Sequence, residues 1–245
     1  MTKDNRKVAL ITGANKSIGF EVARQLGEQG IHVLIGARDE GRGKAAVEQL
    51  TSQNILATYL SLDVTDGTSI KKAAAQISKE FGKLDILVNN AGISGGNIRT
   101  PPSQTDIDVV RQVYETNVFG VTSVTIAMIP LLRLADQARI VNVSSSLGSL
   151  NMALDPNDMF YGINSLQYQS SKAALNAITI EFAKELEGEG IKVNAACPGF
   201  VDTDFNGHRG TKSAKQAATI IVKLSTLGAD GPTASFRDED GELPW

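Results

Sequence analysis

Two side chains define the chemistry this chain is equipped for. Tyr168 and Lys172 stand four residues apart in Tyr168-Gln169-Ser170-Ser171-Lys172. On a helix that spacing puts both on one face, one turn apart. A phenol ionises near ~10 when unperturbed, too high for a base at neutral pH, and a neighbouring ammonium stabilises its anion. An isolated Tyr-x-x-x-Lys more often means a surface tyrosine beside a solvated lysine. Here a β-branched run, Ile140-Val141-Asn142-Val143, ends in Ser144-Ser145-Ser146 ahead of the pair. A hydroxyl at that strand end can hold a substrate oxygen as charge develops on it, and the bland reading loses. The chain has 2 histidines, His32 and His208, and 1 cysteine, Cys197. That leaves little room for a histidine-based metal site or a Ser-His-Asp triad, so no metal ligands are expected. Cys197 beside Pro198 reads as a small packing residue, with no histidine near it in sequence.

A second group of residues is built for phosphate. Thr12-Gly13-Ala14-Asn15-Lys16-Ser17-Ile18-Gly19 follows the apolar run Val8-Ala9-Leu10-Ile11 and opens into an amphipathic stretch. Glycine permits a tight turn and close backbone approach, and a helix start offers unpaired N–H groups to a pyrophosphate. The strand-turn-helix context raises this above an ordinary glycine turn. The second apolar run ends Ile35-Gly36-Ala37-Arg38. A carboxylate there accepts from both adenosine-ribose hydroxyls and favours NAD, whereas a cation pairs with the extra phosphate of NADP. Arg38, with Lys16 as a second cation, points to NADP(H). Asp39 is placed either to pair with Arg38 or to accept from the ribose.

The elements that must position these groups alternate along the chain. Val33-Leu34-Ile35, Ile86-Leu87-Val88 and Val193-Asn194-Ala195-Ala196 join the two runs above as strands apolar on both faces, as covered parallel strands must be. Amphipathic stretches at 18–29, 69–80, 106–134, 167–187 and 213–227 read as helices. Gly30 and Gly82 sit at C-terminal left-handed positions, Asp66 and either Thr105 or Asp106 at N-caps, and Pro130 predicts a kink or early end. This predicts a Rossmann-like, doubly wound parallel sheet with helices on both faces, binding at the carboxyl ends of its strands. The 245 residues suit one α/β domain. Two segments fall outside the alternation, 147–167 and a tail at 228–245.

Hydrophobic residues make up 42% and charged residues 21%, and 24 basic against 27 acidic residues give net −3 with no basic stripe. Nucleic acid and anionic membranes are therefore not expected as partners. The polar start, residues 1–7, lacks the apolar stretch of a signal peptide, and no run reads as long enough to cross a bilayer. With one cysteine this fits a cytoplasmic protein.

Four motifs together, Thr12 to Gly19, Asn89-Asn90-Ala91-Gly92, the Tyr168–Lys172 pentapeptide and Pro198-Gly199, resemble the short-chain dehydrogenase/reductase family in order and spacing over nearly the whole chain. Asn15-Lys16, Ala37-Arg38-Asp39 and Arg42-Gly43 look most like its NADPH-dependent carbonyl reductases. The resemblance implies that Tyr168 is the acid in carbonyl reduction and the base in alcohol oxidation, with Lys172 also binding the nicotinamide ribose. It implies Ser145 as the substrate-holding serine, aligned by the strand end and Gly148, with Ser144 and Ser146 structural. Asn117 matches an asparagine that connects Lys172 to a water chain; as a mid-helix Asn it needs a polar partner in any case. By the same resemblance Gly13, Asn15, Ser17, Ile18 and Gly19 cradle the pyrophosphate, Lys16 in the same loop joins Arg38 as a cation for the extra phosphate, and Asp63 and Val64 meet the adenosine end. Asn89, Asn90, Ala91 and Gly92 then line the groove, while Pro198, Gly199, Val201 and Thr203 reach the carboxamide. Asp85 and Asp202 read as surface or capping carboxylates.

Two departures stand out. Ser17 occupies the middle glycine of the fingerprint, so its Cβ crowds the pyrophosphate or its hydroxyl donates to it. Ser145 and Tyr168 are 23 positions apart, more than in many members. The insertion at 147–167 either shapes an apolar pocket, covers a helix face used for association, or is a surface loop of no consequence. Monomer, homodimer and homotetramer all stay open. The expected activity is reduction of an aldehyde, ketone or quinone-like carbonyl with NADPH. The alternatives are an NAD-dependent alcohol or sugar dehydrogenase, and a non-catalytic NADP(H)-binding sensor or scaffold.

Overall fold

The chain runs β1 (Val8–Thr12), α1 (Ser17–Glu28), β2 (His32–Ala37), α2 (Glu40–Thr51), β3 (Ala57–Ser61), α3 (Gly67–Glu80) and β4 (Ile86–Asn89). It continues through α4 (Ile107–Tyr114), α5 (Val121–Leu132), β5 (Arg139–Val143), α6 (Leu150–Ala153), α7 (Leu166–Leu186), β6 (Lys192–Ala196), α8 (Ala214–Ser225) and β7 (Phe236–Arg237). This computed structural model describes residues 6–97 and 99–245; residues 1–5 of the polar start, and Ile98 in the 94–102 loop, lie outside them.

All seven strands pair in parallel, in the order β3-β2-β1-β4-β5-β6-β7. Strand alternation sends Ala9 and Ile11 into a core with α1, α2 and α8, and Val8 and Leu10 into a second core with α3, α5 and α7. Both faces are thus covered, which is why these strands read as continuous apolar runs. The chain winds outward from β1 to β3, then returns to start β4 on the other side of β1. That reversal opens a crevice beyond the carboxyl ends of β1 and β4.

The expected caps form: Asp66 accepts from Thr68 N, Asp106 from Asp108 N, and Gly30 and Gly82 have φ of 81° and 75°. Pro130 is accommodated inside α5, which ends two residues later. Four sequence expectations are corrected. Helix α2 was not foreseen, because Gly41 and Gly43 interrupt its first turn. Gly43 is there for packing, since a Cβ would come within 2.4 Å of the Tyr59 ring on β3. Asp39, expected to pair with Arg38 or accept from the ribose, caps α2 instead of pairing with Arg38, its Oδ1 accepting from Arg42 N at 2.8 Å. The 228–245 tail is not outside the sheet, because Phe236, fully buried, opens its edge strand β7. The stretch Ile107–Leu132 is a continuous 26-residue helical run with mean hydropathy 1.3, long enough to cross a bilayer by length and composition; with 56% of its most apolar window buried, it packs as a core helix.

Candidate active site

At the crevice the two central strands end in loops that are tied together. Thr12 Oγ1, closing β1, accepts from the backbone N–H groups of Asn90 and Ala91, both at 3.0 Å. Asn90 Nδ2 donates to Thr12 O at 2.8 Å. Glycine is needed at this seam for protein–protein contact: a Cβ on Gly19 would lie 2.5 Å from Asn90 Nδ2, and one on Gly13, at φ 65°, 3.1 Å from Ala91 Cα. Asn89 does not line the groove. It is 2% exposed, and its Nδ2 donates to Thr125 and Asn142 beneath the crevice.

Helix α1 begins here without a side-chain cap, whereas α2, α3, α4, α6 and α8 each have one. Its first N–H groups, at Ser17, Ile18 and Gly19, have no intrahelical acceptor and stand at the positive end of the helix dipole. Asn15 and Lys16 flank them at the surface. Ser17 takes the fingerprint's middle position at φ 55°, the left-handed region that glycine occupies without strain. Arg38, past β2, lies close enough to Asp63 to favour its ionised form. Burial raises the Asp63 pKa, but hydrogen bonds from Thr65 N and Oγ1, helped by Arg38, bring the net shift below the usual value. Val64 packs on the turn containing Asn117, its carbonyl 2.9 Å from where a Gly120 Cβ would be. An uncapped helix, close-packed glycines and two flanking cations fit a phosphorylated dinucleotide.

The second half of the crevice holds the reactive groups. Tyr168 and Lys172, one turn apart on α7, are 9% and 6% exposed, and Lys172 Nζ lies 5.7 Å from the centre of the Tyr168 ring. Burial pushes the phenol well above its ordinary value, partly offset by a hydrogen bond with Ser145. Burial likewise lowers the Lys172 ammonium to about 8, and its Nζ donates to Val143 O at 2.8 Å. Gly148 lets the serine-bearing turn lie against this helix, since a Cβ would stand 2.7 Å from the Lys172 backbone. Of the three serines, Ser144 donates to buried Asn176 at 2.6 Å, and Ser146 N donates to Cys197 Sγ. Ser145 is the one beside Tyr168. Cys197 is buried, which raises its pKa.

Asn117 lies in a π-helical turn, Glu115–Gly120, between α4 and α5. Fully buried, it accepts from Ile93 N and donates to Ile93 O, both at 2.8 Å, and its Nδ2 also reaches Ser171 Oγ at 3.1 Å. Ser171 in turn donates to the Tyr168 carbonyl. Asn117 therefore joins the loop after β4 to α7; Gly92, directly above, would carry a Cβ 3.3 Å from Asn117 Oδ1 and 3.8 Å from Lys172 Nζ.

Pro198 and Gly199 lead from β6 into a loop over the crevice. Its neck is pinned where Val201 bridges Lys212, and Gly210 passes so near that any Cβ would meet Val201 at 2.0 Å. Val201 and Thr203 are buried on its inner side. At the tip, Phe205 sets its ring edge-on to Tyr168, centroids 5.4 Å apart. The contact of Phe205 with Tyr168 was not foreseen, because no local spacing links residue 205 to 168. Of the two carboxylates expected at the surface or in caps, Asp202 is exposed and Asp85 is not. Asp85 is 3% exposed and clamps β1, accepting from Val8 N at 2.8 Å, and Asp202 pairs with His208. The 147–167 insertion forms α6 and turns beside Ser145, with Leu154 and Met159 80% and 83% exposed.

Residues 7–214 match the family model for short chain dehydrogenases. A short-chain dehydrogenase of Penicillium roqueforti is 41% identical, covering 94% of this chain and 92% of that protein. Among solved structures, salutaridine reductase from Papaver somniferum superposes with TM-score 0.83 at 32% identity, covering 94% of this chain and 99% of its own. NADPH-bound carbonyl reductase from chicken fatty liver gives 0.85 at 27% identity, covering 98% and 99%.

Proposed function

We propose, from the premise that this chain belongs to the short-chain dehydrogenase family, that it reduces an aldehyde, ketone or quinone-like carbonyl with NADPH, reversibly. The observation carrying this reading is the buried Tyr168, partnered by Ser145 and backed by the Lys172 ammonium. The residues that would hold NADP(H) are Gly13, Asn15, Ser17, Ile18 and Gly19 at the pyrophosphate, Lys16 and Arg38 at the extra ribose phosphate, and Asp63 and Val64 at the adenosine. On the nicotinamide side they are Asn90, Ala91, Gly92, Lys172, Pro198, Gly199, Val201 and Thr203. When bound, the nicotinamide supplies hydride to the carbonyl carbon or accepts it from the alcohol.

The protein's part follows from its proton inventory. Burial favours the neutral phenol, so Tyr168 enters the reaction as an acid. It and Ser145 hold the carbonyl oxygen, and the Tyr168 proton passes to that oxygen as negative charge appears on it. The Lys172 ammonium stabilises the phenolate left behind, and Asn117 keeps the loop after β4 in register with α7. The names of the relatives support a reductase, and one structural neighbour, an NADPH-bound carbonyl reductase, supports the cofactor.

The test follows nicotinamide absorbance with NADPH and NADH in parallel over aldehydes, ketones, diketones and quinones, with Tyr168→Phe as control. Turnover preferring NADPH and lost in the variant is expected. Turnover with NAD and alcohols alone would replace this reading with the dehydrogenase one.

A further inference from the structure

Lys16 and the lid over Tyr168 meet in a way that neither the phosphate loop nor the reaction requires. Lys16 Nζ contacts Asp204 Oδ2 at 2.5 Å, joining residues 188 positions apart, with both side chains more than half exposed. Asp204 Oδ1 accepts from His208 Nε2 at 3.0 Å, and His208 Nδ1 pairs with Asp202 at 2.7 Å. Residues 202–208 thus close on themselves through one imidazole, which aims Asp204 at Lys16. The next residue, Phe205, is the one lying against Tyr168. The neck stays fastened independently, by the Val201–Lys212 bridge and the Lys212–Glu239 ion pair. Only the tip depends on Lys16.

We infer that Asp204 is a positioning residue that couples the phosphate end of the crevice to the lid. With the groove empty, Asp204 holds Lys16 and keeps Phe205 over Tyr168. A phosphate on the adenosine ribose draws Lys16 away, and the tip is released to admit substrate. The physical basis is competition: Lys16 has one positive charge, and Asp204 and a phosphate dianion repel each other across it. Because the pair is exposed, its strength is small enough to be exchanged. The inference rests on the NADP(H) reading in that Lys16 must meet the extra phosphate.

The test uses NADP+ and NAD+, which differ by that phosphate alone. It reads binding by calorimetry and lid release by tryptic cleavage after Arg209, an exposed residue at the tip. In the wild-type protein NADP+ is expected to speed cleavage at Arg209, and NAD+ to leave it unchanged. Asp204→Asn, a near-isosteric change at an exposed site, should show fast cleavage without nucleotide. It should also bind NADP+ about two- to fivefold more tightly, with NAD+ affinity unaltered. NADP+ that protects Arg209, or an Asp204→Asn variant with unchanged cleavage and NADP+ affinity, would overturn the coupling while leaving the cofactor reading intact. Equal affinity for the two nucleotides, unchanged by Lys16→Ala, would remove the cofactor reading and the coupling with it.

Discussion

The crevice holds two lysines in opposite physical states. On its floor Lys172 is 6% exposed, donates to a neutral carbonyl, and has its proton affinity lowered to about 8 by burial. On its rim Lys16 is 55% exposed and paired with a carboxylate. A buried charge without a counter-ion costs stability and is kept for what it does to a neighbour, here the Tyr168 phenolate. An exposed ion pair contributes little stability and can change partners. The floor is built for a fixed proton transfer, the rim for exchange.

The largest expected effect lies on the floor. Tyr168→Phe removes the proton donor and should lower kcat by about 10²–10⁴-fold with nucleotide affinity kept; near-normal turnover would move the acid elsewhere. Ser145→Ala should cost about 10²–10³-fold in kcat, more than in KM. Equal loss in Ser144→Ala through disrupted packing would separate from this in a denaturation curve, since Ser144 is bonded to Asn176.

Lys172→Met sharpens the comparison through stability. A lysine whose pKa falls from 10.5 to about 8 on folding destabilises the folded state fully below pH 8. The penalty fades between 8 and 10.5, where the unfolded chain binds more protons, so wild-type stability rises with pH across that window. The inactive Lys172→Met variant should therefore be more stable at pH 7 in the absence of cofactor by about 1–3 kcal/mol, an advantage that shrinks above pH 8. Urea melts at several pH values check it, and a destabilised variant would mean that the ammonium is better solvated than its burial implies. The smallest effect belongs to the rim: Ser17→Gly should add about 0.5–1 kcal/mol by relieving a left-handed serine. If its hydroxyl donates to phosphate, NADP+ binding weakens in the same variant.

Most of the sheet was legible because strands covered on both faces carry β-branched runs with no polar side. The elements overlooked break that rule. Strand β3 is an edge with one buried residue, Leu60, in five, and β7 has two residues. Helix α2 hides behind two glycines, one of which, Gly43, a distant tyrosine requires. Asn89 was misplaced because neighbours in a strand face opposite ways: Asn90 turns to the phosphate loop and Asn89 to the core.

What the sequence determined by itself is whatever depends on short spacing. Tyr168 and Lys172 share a helix face by the pitch of the helix, and a glycine turn between strand and helix makes a place for phosphate. Folding decided what depends on approach across the chain. Burial, which moves the Tyr168 and Lys172 proton affinities in opposite directions, comes from the packing of α7 against the turn at Gly148. Ser145, already singled out by the strand end and Gly148, meets the Tyr168 hydroxyl through that same packing. The link from Lys16 to Asp204, and the placing of Phe205 over the phenol, exist only because the crossover between β1 and β4 brings both ends of the chain to one crevice.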